Sequence, residues 1–242
     1  MNDHRLAARL ATEAGELLLG VRAELAEADP ADRRAAGDRR AHRFLMAELA
    51  AARPDDAVLS EEGADDPARL AASRVWIVDP LDGTREFAEP ARVDWAVHVA
   101  LWSDGDLVAG AVALPAQRRT LATPQVAAPP PASGTPRVVV SRTRPPAAAL
   151  TVCDRLGAVQ VGMGSAGAKV AAVVAGEADV YVHAGGQYEW DSAAPVAVAR
   201  AAGLHTSRLD GSALRYNRAD PLLPDVVVCR PEYAAAVCAA LR

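Results

Sequence analysis

An apolar run, Val75-Trp76-Ile77-Val78, passes without a break into Asp79-Pro80-Leu81-Asp82-Gly83-Thr84. The run reads as a buried strand, and the residues after it stop that strand from continuing. Pro80 removes a backbone donor and fixes φ, so the chain turns there. Gly83 and Thr84 then offer N–H groups where a helix can begin, a position that favours a bound anion. Two carboxylates three apart at a strand end suit a hard divalent cation. Asp-Pro, Asp-Gly and Gly-Thr are also ordinary turn residues, so this stretch alone leaves a plain turn open.

The rest of the chain changes its hydrophobic period along its length. Residues 4–26 and 31–52 show helical spacing, with Leu6, Leu10, Ala14, Leu17 and Leu18 on one face and Asp29-Pro30 breaking between the two helices. Strand-like runs follow at 57–59, 75–78, 95–101 and 107–114, the last two joined by an Asp104-Gly105-Asp106 turn. Residues 124–136 are rich in Pro, Ala, Ser and Gly and predict an exposed connection. Beyond it, strands at 138–140, 159–161, 178–182 and 225–228 alternate with helices near 145–156, 165–175 and 191–202, and a last helix closes the chain. The pattern predicts a mixed α+β or α/β chain in two parts, 1–123 and 137–242, which could also count as one compact domain.

Charge narrows the function. The 242 residues carry 26 basic and 31 acidic side chains, a net charge of −5, which does not suggest a nucleic-acid surface. Cys153, Cys229 and Cys238 are widely spaced and odd in number, so they read as buried or free thiols. No run of ~18 apolar residues is present, which predicts no membrane span and a cytoplasmic protein.

Two further acidic elements fall at probable element ends. Ser60-Glu61-Glu62 closes the apolar stretch Ala57-Val58-Leu59, and Glu189-Trp190-Asp191-Ser192-Ala193-Ala194-Pro195 opens a strong helical pattern. Taken together, Trp76 to Phe87, Trp190 to Pro195 with Ala201-Ala202-Gly203, and Ser60-Glu61-Glu62 resemble, in order and spacing, the signatures of the inositol monophosphatase superfamily. Leu59-Ser60-Glu61-Glu62 and the Thr84-Arg85-Glu86-Phe87 ending are most similar to its CysQ-type 3′(2′),5′-bisphosphate nucleotidases.

That resemblance implies a layered α-β-α-β-α sandwich and a Mg²⁺-dependent, lithium-sensitive phosphatase. Its substrate would be a small phosphorylated molecule, 3′-phosphoadenosine 5′-phosphate (PAP) from sulfate assimilation, with inositol monophosphate or fructose 1,6-bisphosphate as alternatives. A non-catalytic nucleotide- or metal-binding sensor is the reading from another class, and it predicts loss of a metal ligand. Two or three Mg²⁺ ions are implied, one on Glu61, Asp79 and the Leu81 carbonyl, another on Asp79, Asp82 and Asp191. They would clamp an attacking water and the leaving oxygen. Thr84 would orient that water with Asp38 as proton acceptor. The family carries a hydroxyl residue three before this acid, where this chain has Ala35, and Asp38, early in the second helix, could simply complement that helix's N-terminus.

Substrate contacts fall on Gly83, Thr84, Arg85 and Asp191, and on Gly164-Ser165-Ala166-Gly167-Ala168-Lys169. In that last stretch a helix N-terminus could hold a second phosphate through Gly164 and Ser165, with Lys169 adding charge. The same residues could equally form a helix capped by Ser165. Tyr188 and Trp190 are candidates to stack on a base, Trp190 more readily as core packing. His98, inside the strand pattern 95–101, reads as a hydrogen-bonded core histidine. The resemblance also leaves a homodimer open.

Overall fold

Alternate residues of the run at 75–78 go to opposite faces: Trp76 and Val78 join the N-terminal helices, while Val75 and Ile77 join a second, larger core. A strand apolar on both faces needs helices on both sides. The computed structural model, which describes residues 1–242, supplies them.

Helices α1 (Asp3–Glu24) and α2 (Pro30–Ala52) precede β1 (Ala57–Ser60), β2 (Arg74–Asp82), the short α3 (Thr84–Ala88), β3 (Ala96–Ser103), β4 (Asp106–Leu114) and β5 (Arg119–Ala122). These strands form one sheet in the order β1-β2-β3-β4-β5, with β1 parallel to β2 and the other pairs antiparallel. The expected turn joins β3 to β4, with positive φ at Asp104 and Gly105. Then come β6 (Arg137–Ser141), α4 (Ala147–Leu156), β7 (Val159–Met163), α5 (Ala166–Ala175), β8 (Val180–Ala184), α6 (Glu189–Ala201), β9 (His205–Ser207), β10 (Asp225–Cys229) and α7 (Pro231–Ala240). The second sheet has the order β7-β6-β8-β10-β9.

Three cores separate five layers. The first lies between α1, α2 and one face of the first sheet; the second surrounds α5 and α6 between the two sheets; the third lies between the second sheet and α4 with α7. This is the α-β-α-β-α sandwich that the resemblance implies. The middle layer is built from small residues such as Ala193, Ala194 and Ala197, which let α6 sit close on the first sheet. At Gly110 of β4 a Cβ would fall 2.6 Å from that of Ala197, so only glycine permits this approach.

Residues 124–136 carry neither helix nor strand. Two edge strands, β5 and β9, lie outside the runs expected from sequence; at four and three residues they are too short to show a period. Arg33 of α2 is buried and donates to the carbonyls of Leu25, Ala26, Ala28 and Ala88. It thereby ties the α1–α2 turn to the end of α3. The three cysteines are free thiols. No helix is long and apolar enough to cross a membrane.

Candidate active site

Strand β2 carries Asp79 and Asp82 to its C-terminal end, where Gly83 turns the chain with φ of 85°. The helix that follows, α3, is one short turn of five residues, so it offers less of a dipole than Gly83-Thr84 suggested. Helix α6 brings Asp191 from the middle layer. Carboxylate oxygens of Asp79, Asp82 and Asp191 lie within 4.8 Å of one another. Asp79 accepts the Leu81 N–H at 3.0 Å, and Asp191 accepts the Tyr188 N–H at 2.7 Å, which pins it at the head of α6.

Such crowding has an electrostatic signature. Burial, then the charges of Glu61, Asp82 and Asp191, push the Asp79 carboxyl well above the ordinary carboxylate range. Burial followed by the Asp82 charge lifts Asp191 to about 7. Asp82 behaves oppositely: burial opposes its charge, but His98, Lys169 and Ser165 together hold it below the ordinary value. Two of three neighbouring acids are driven towards neutrality, so the cluster is short of positive charge. Its donors are all hard oxygens, which fits a hard divalent cation.

Glu61 follows β1 and is exposed at the rim, outside that tight group. Protein packed around its carboxyl raises it to about 7 against a hydrogen bond with Asp79 that lowers it, and the Asp82, Glu62 and Asp38 charges add to the rise. The Leu81 carbonyl accepts the Thr84 hydroxyl at 3.3 Å. Asp38 sits in the third turn of α2, too deep to complement the helix N-terminus. Burial, then Glu62, raises its carboxyl to about 7. Gly37 lets this turn approach the site, since a Cβ there would meet Phe87 at 2.8 Å and Leu81 at 2.9 Å. Asp38 and Thr84 share no hydrogen bond; the hydroxyl is turned to Leu81.

The head of α5 departs from the phosphate-site expectation. Ser165 caps the helix, accepting the Ala168 N–H at 2.9 Å, and donates its own hydroxyl to Asp82 at 2.5 Å. The Gly167 N–H donates to the same Asp82 oxygen at 2.8 Å, and the Gly164 N–H goes to Asp94 at 2.6 Å. The anion at this helix N-terminus is therefore the Asp82 side chain, and these donors are not free for phosphate. Lys169 is buried and bonds the carbonyls of Gly164 at 3.1 Å and Ser165 at 2.7 Å. Burial lowers its pKa despite the acids nearby.

His98 is a hydrogen-bonded core histidine, as its strand pattern suggests, but its partners are the acids of the site. Nδ1 lies 3.1 Å from the Trp190 carbonyl. Nε2 stands 3.2 Å from Asp82, within ion-pair range though without the alignment of a hydrogen bond. Burial works against a charged imidazole, and Asp82 more than offsets this, holding the His98 pKa above its ordinary value. Alternation alone shows that His98 points inward; it does not reveal what it meets.

Beside the cluster opens a cleft of about 410 Å³ with no apolar lining residue. Gly83, Thr84, Gly164, Ser165 and Lys169 line one side, and Arg34, Arg85, Arg142 and Arg144 add cations. Arg142 is held by Glu86 at 2.6 Å and by Glu89, whereas Arg85 meets only the Thr143 hydroxyl, at 3.2 Å. Arg34, Arg142 and Arg144 were not among the expected contacts. The available signal was Ser141-Arg142-Thr143-Arg144, hydroxyls alternating with arginines directly after a strand. Tyr188 and Trp190 stack on each other with ring centroids 4.7 Å apart, Tyr188 being the exposed member. Glu189 turns away from the site and accepts the N–H groups of Asn217 and Arg218.

Known proteins resemble this chain in sequence and in fold. A profile of the inositol monophosphatase family matches residues 3–242. A Mycobacterium leprae protein named 3′-phosphoadenosine 5′-phosphate phosphatase is 51% identical over 255 aligned positions, covering 100% of this chain and 94% of the relative. A Mycobacterium tuberculosis protein of the same name is 55% identical over 231 positions, covering 92% and 86%. The crystal structure of CysQ from Bacteroides thetaiotaomicron, a bacterial member of the inositol monophosphatase family, is similar with a TM-score of 0.77 at 28% identity, covering 94% of this chain and 97% of that one.

Proposed function

The chain belongs to the inositol monophosphatase family, and we propose that it is a magnesium-dependent phosphatase that hydrolyses the 3′-phosphate of PAP. The reaction breaks the bond between phosphorus and the 3′-oxygen and forms one between phosphorus and a water oxygen. The water's proton leaves to a base, the 3′-oxygen gains one, and adenosine 5′-phosphate and inorganic phosphate result.

The observation that carries a bisphosphate over a monophosphate substrate is the arginine-lined cleft beside the carboxylates. A monophosphate needs the carboxylate site alone. A bisphosphate carries a second dianion, and Arg34, Arg85 and Arg144 offer guanidinium groups to receive it. The names of the mycobacterial relatives support the same substrate.

Asp79, Asp82 and Asp191, joined by Glu61 and the Leu81 carbonyl, would hold the metal. Bound there, magnesium would polarise the phosphoryl group and lower the pKa of water. The chain's own groups do the rest. Asp38, with its carboxyl raised to about 7, is matched to accepting a proton near neutral pH. Thr84 lines the cleft, and its hydroxyl, released from the Leu81 carbonyl, could orient a water or a phosphate oxygen. Gly83 turns the backbone without a side chain in the way.

Phosphate release with Mg²⁺ tests this, with PAP, inositol 1-phosphate and fructose 1,6-bisphosphate compared by kcat/KM. A PAP preference of about a hundredfold, some 2.7 kcal/mol of transition-state discrimination, is expected. Equal rates on all three would replace the nucleotidase reading with a broad sugar-phosphate phosphatase.

A further inference from the structure

The carboxylates of the cluster come from two elements that share no covalent neighbourhood. Asp79 and Asp82 end β2 in the first sheet; Asp191 heads α6 in the middle layer. One side chain bonds towards both. His98 lies on β3 directly across the ladder from Asp79 and is 0% exposed. Its Nδ1 is 3.1 Å from the Trp190 carbonyl, and a carbonyl only accepts, so Nδ1 carries the hydrogen. Trp190 is the residue immediately before Asp191. Nε2 points the other way, to 3.2 Å from Asp82, while Nδ1 stands 3.9 Å from Asp79.

The packing around the ring is shaped to keep it there. A Cβ at Gly167 would fall 2.1 Å from His98 Nε2, so any other residue at that position would displace the imidazole. Gly167 also donates its N–H to Asp82. The absent side chain thus admits both the ring and the backbone donor to the same carboxylate. Sealed from solvent, His98 touches no substrate, so it acts through the carboxylates.

We infer that His98 is a positioning residue, which fixes the head of α6 against the end of β2 and so sets the spacing of Asp191 from Asp79 and Asp82. The inference rests on the metal-dependent reading above. The two ring nitrogens contribute unequally. Asp82 keeps donors from Ser165 and Gly167 if His98 is lost, whereas no other side chain donates to the Trp190 carbonyl.

Mg²⁺ titrated into metal-free, full-length protein, followed by calorimetry, tests this with His98→Leu, His98→Asn and His98→Gln. Asparagine places an amide nitrogen near the Nδ1 position and glutamine near that of Nε2. The leucine variant should bind Mg²⁺ 10–100-fold more weakly, the range for partners that orient metal ligands. His98→Asn should recover most of that loss and His98→Gln little. Should the leucine variant fail to fold, an asparagine variant binding at least tenfold tighter than the glutamine one still supports the assignment. Equal affinity of these two, or wild-type affinity in His98→Leu, overturns it. Wild-type protein that takes up no Mg²⁺ would overturn the metal-dependent reading as well, which separates the two failures.

Discussion

Ser165 gives its hydroxyl hydrogen to Asp82 across 2.5 Å while its oxygen accepts the N–H that caps α5. One side chain thereby orders a carboxylate of the first sheet and starts a helix of the middle layer. Ser165 holds a positive φ of 47°, a conformation uncommon for a residue with a Cβ. The compensation is visible in these two bonds.

Ser165→Ala should therefore separate into two measurable effects. Loss of the cap costs about 1 kcal/mol, read as a fall in Tm of ~2–4 °C for a chain of this size. Asp82 loses a donor that orients it, so the Mg²⁺ concentration for half-maximal activity should rise about tenfold. An unchanged Mg²⁺ requirement with the lowered Tm would reduce Ser165 to a cap.

The acidic cluster predicts an unusual pH dependence for the metal-free protein. Asp191 is raised to about 7 in the folded state, above its unfolded value. A carboxyl of that kind contributes stability below its unfolded pKa and loses it as pH rises through 7. In chelator, Tm should fall as pH rises from about 4 to about 7, and Mg²⁺ should restore it at pH 8. Asp191→Asn should flatten the fall, raise Tm at pH 8 without metal, and blunt the restoration. A metal-free Tm independent of pH over that interval would contradict the reading.

Substrate discrimination should reside in the arginines of the cleft. Removing one phosphate contact by Arg85→Ala or Arg144→Ala should raise KM for PAP about tenfold, as expected for a hydrogen bond to a charged group. KM for a phosphate monoester should barely move. Steady-state kinetics on both substrates decides it; equal increases would mean that these arginines supply only a general field. Lys169→Ala should behave differently, because Lys169 is spent on the carbonyls of Gly164 and Ser165. Its main effect should be on Tm.

How much of this could be read in the sequence depended on the reach of each feature. Asp79 to Thr84 was legible because a strand end, a proline and a glycine specify a local corner. The sandwich was legible because long periodic segments declare their faces, and β5 and β9 were missed because they are too short to do so. The partners of Asp82 come from 83 and 85 residues downstream, and nothing local says where Ser165 and Gly167 point. The head of α5 looked like a phosphate site for the right reason, since helix N-termini seek anions. In this fold the anion is a side chain of the protein itself. Asp38 was identifiable as an acid on α2, and the Asp29-Pro30 break set the start of that helix within one residue of its observed place.

At the start of β10, Arg208 forks onto Asp225 at 2.7 and 2.6 Å, and Leu209 adds an N–H at 2.9 Å. Arg208, the larger influence, holds the Asp225 carboxyl below its ordinary range. A depressed carboxyl contributes stability above its unfolded pKa and loses it as pH falls through the folded value. Asp225→Asn should therefore lower Tm at pH 7 by ~2–4 °C, corresponding to about 1 kcal/mol for a partly exposed pair. The difference from wild type should shrink as pH drops below 4, where the wild-type carboxyl takes up its proton. Melting curves for the two proteins across that range check the sign. A gap that stays constant into acid would assign the effect to packing around Arg208, with no part for the charge of Asp225.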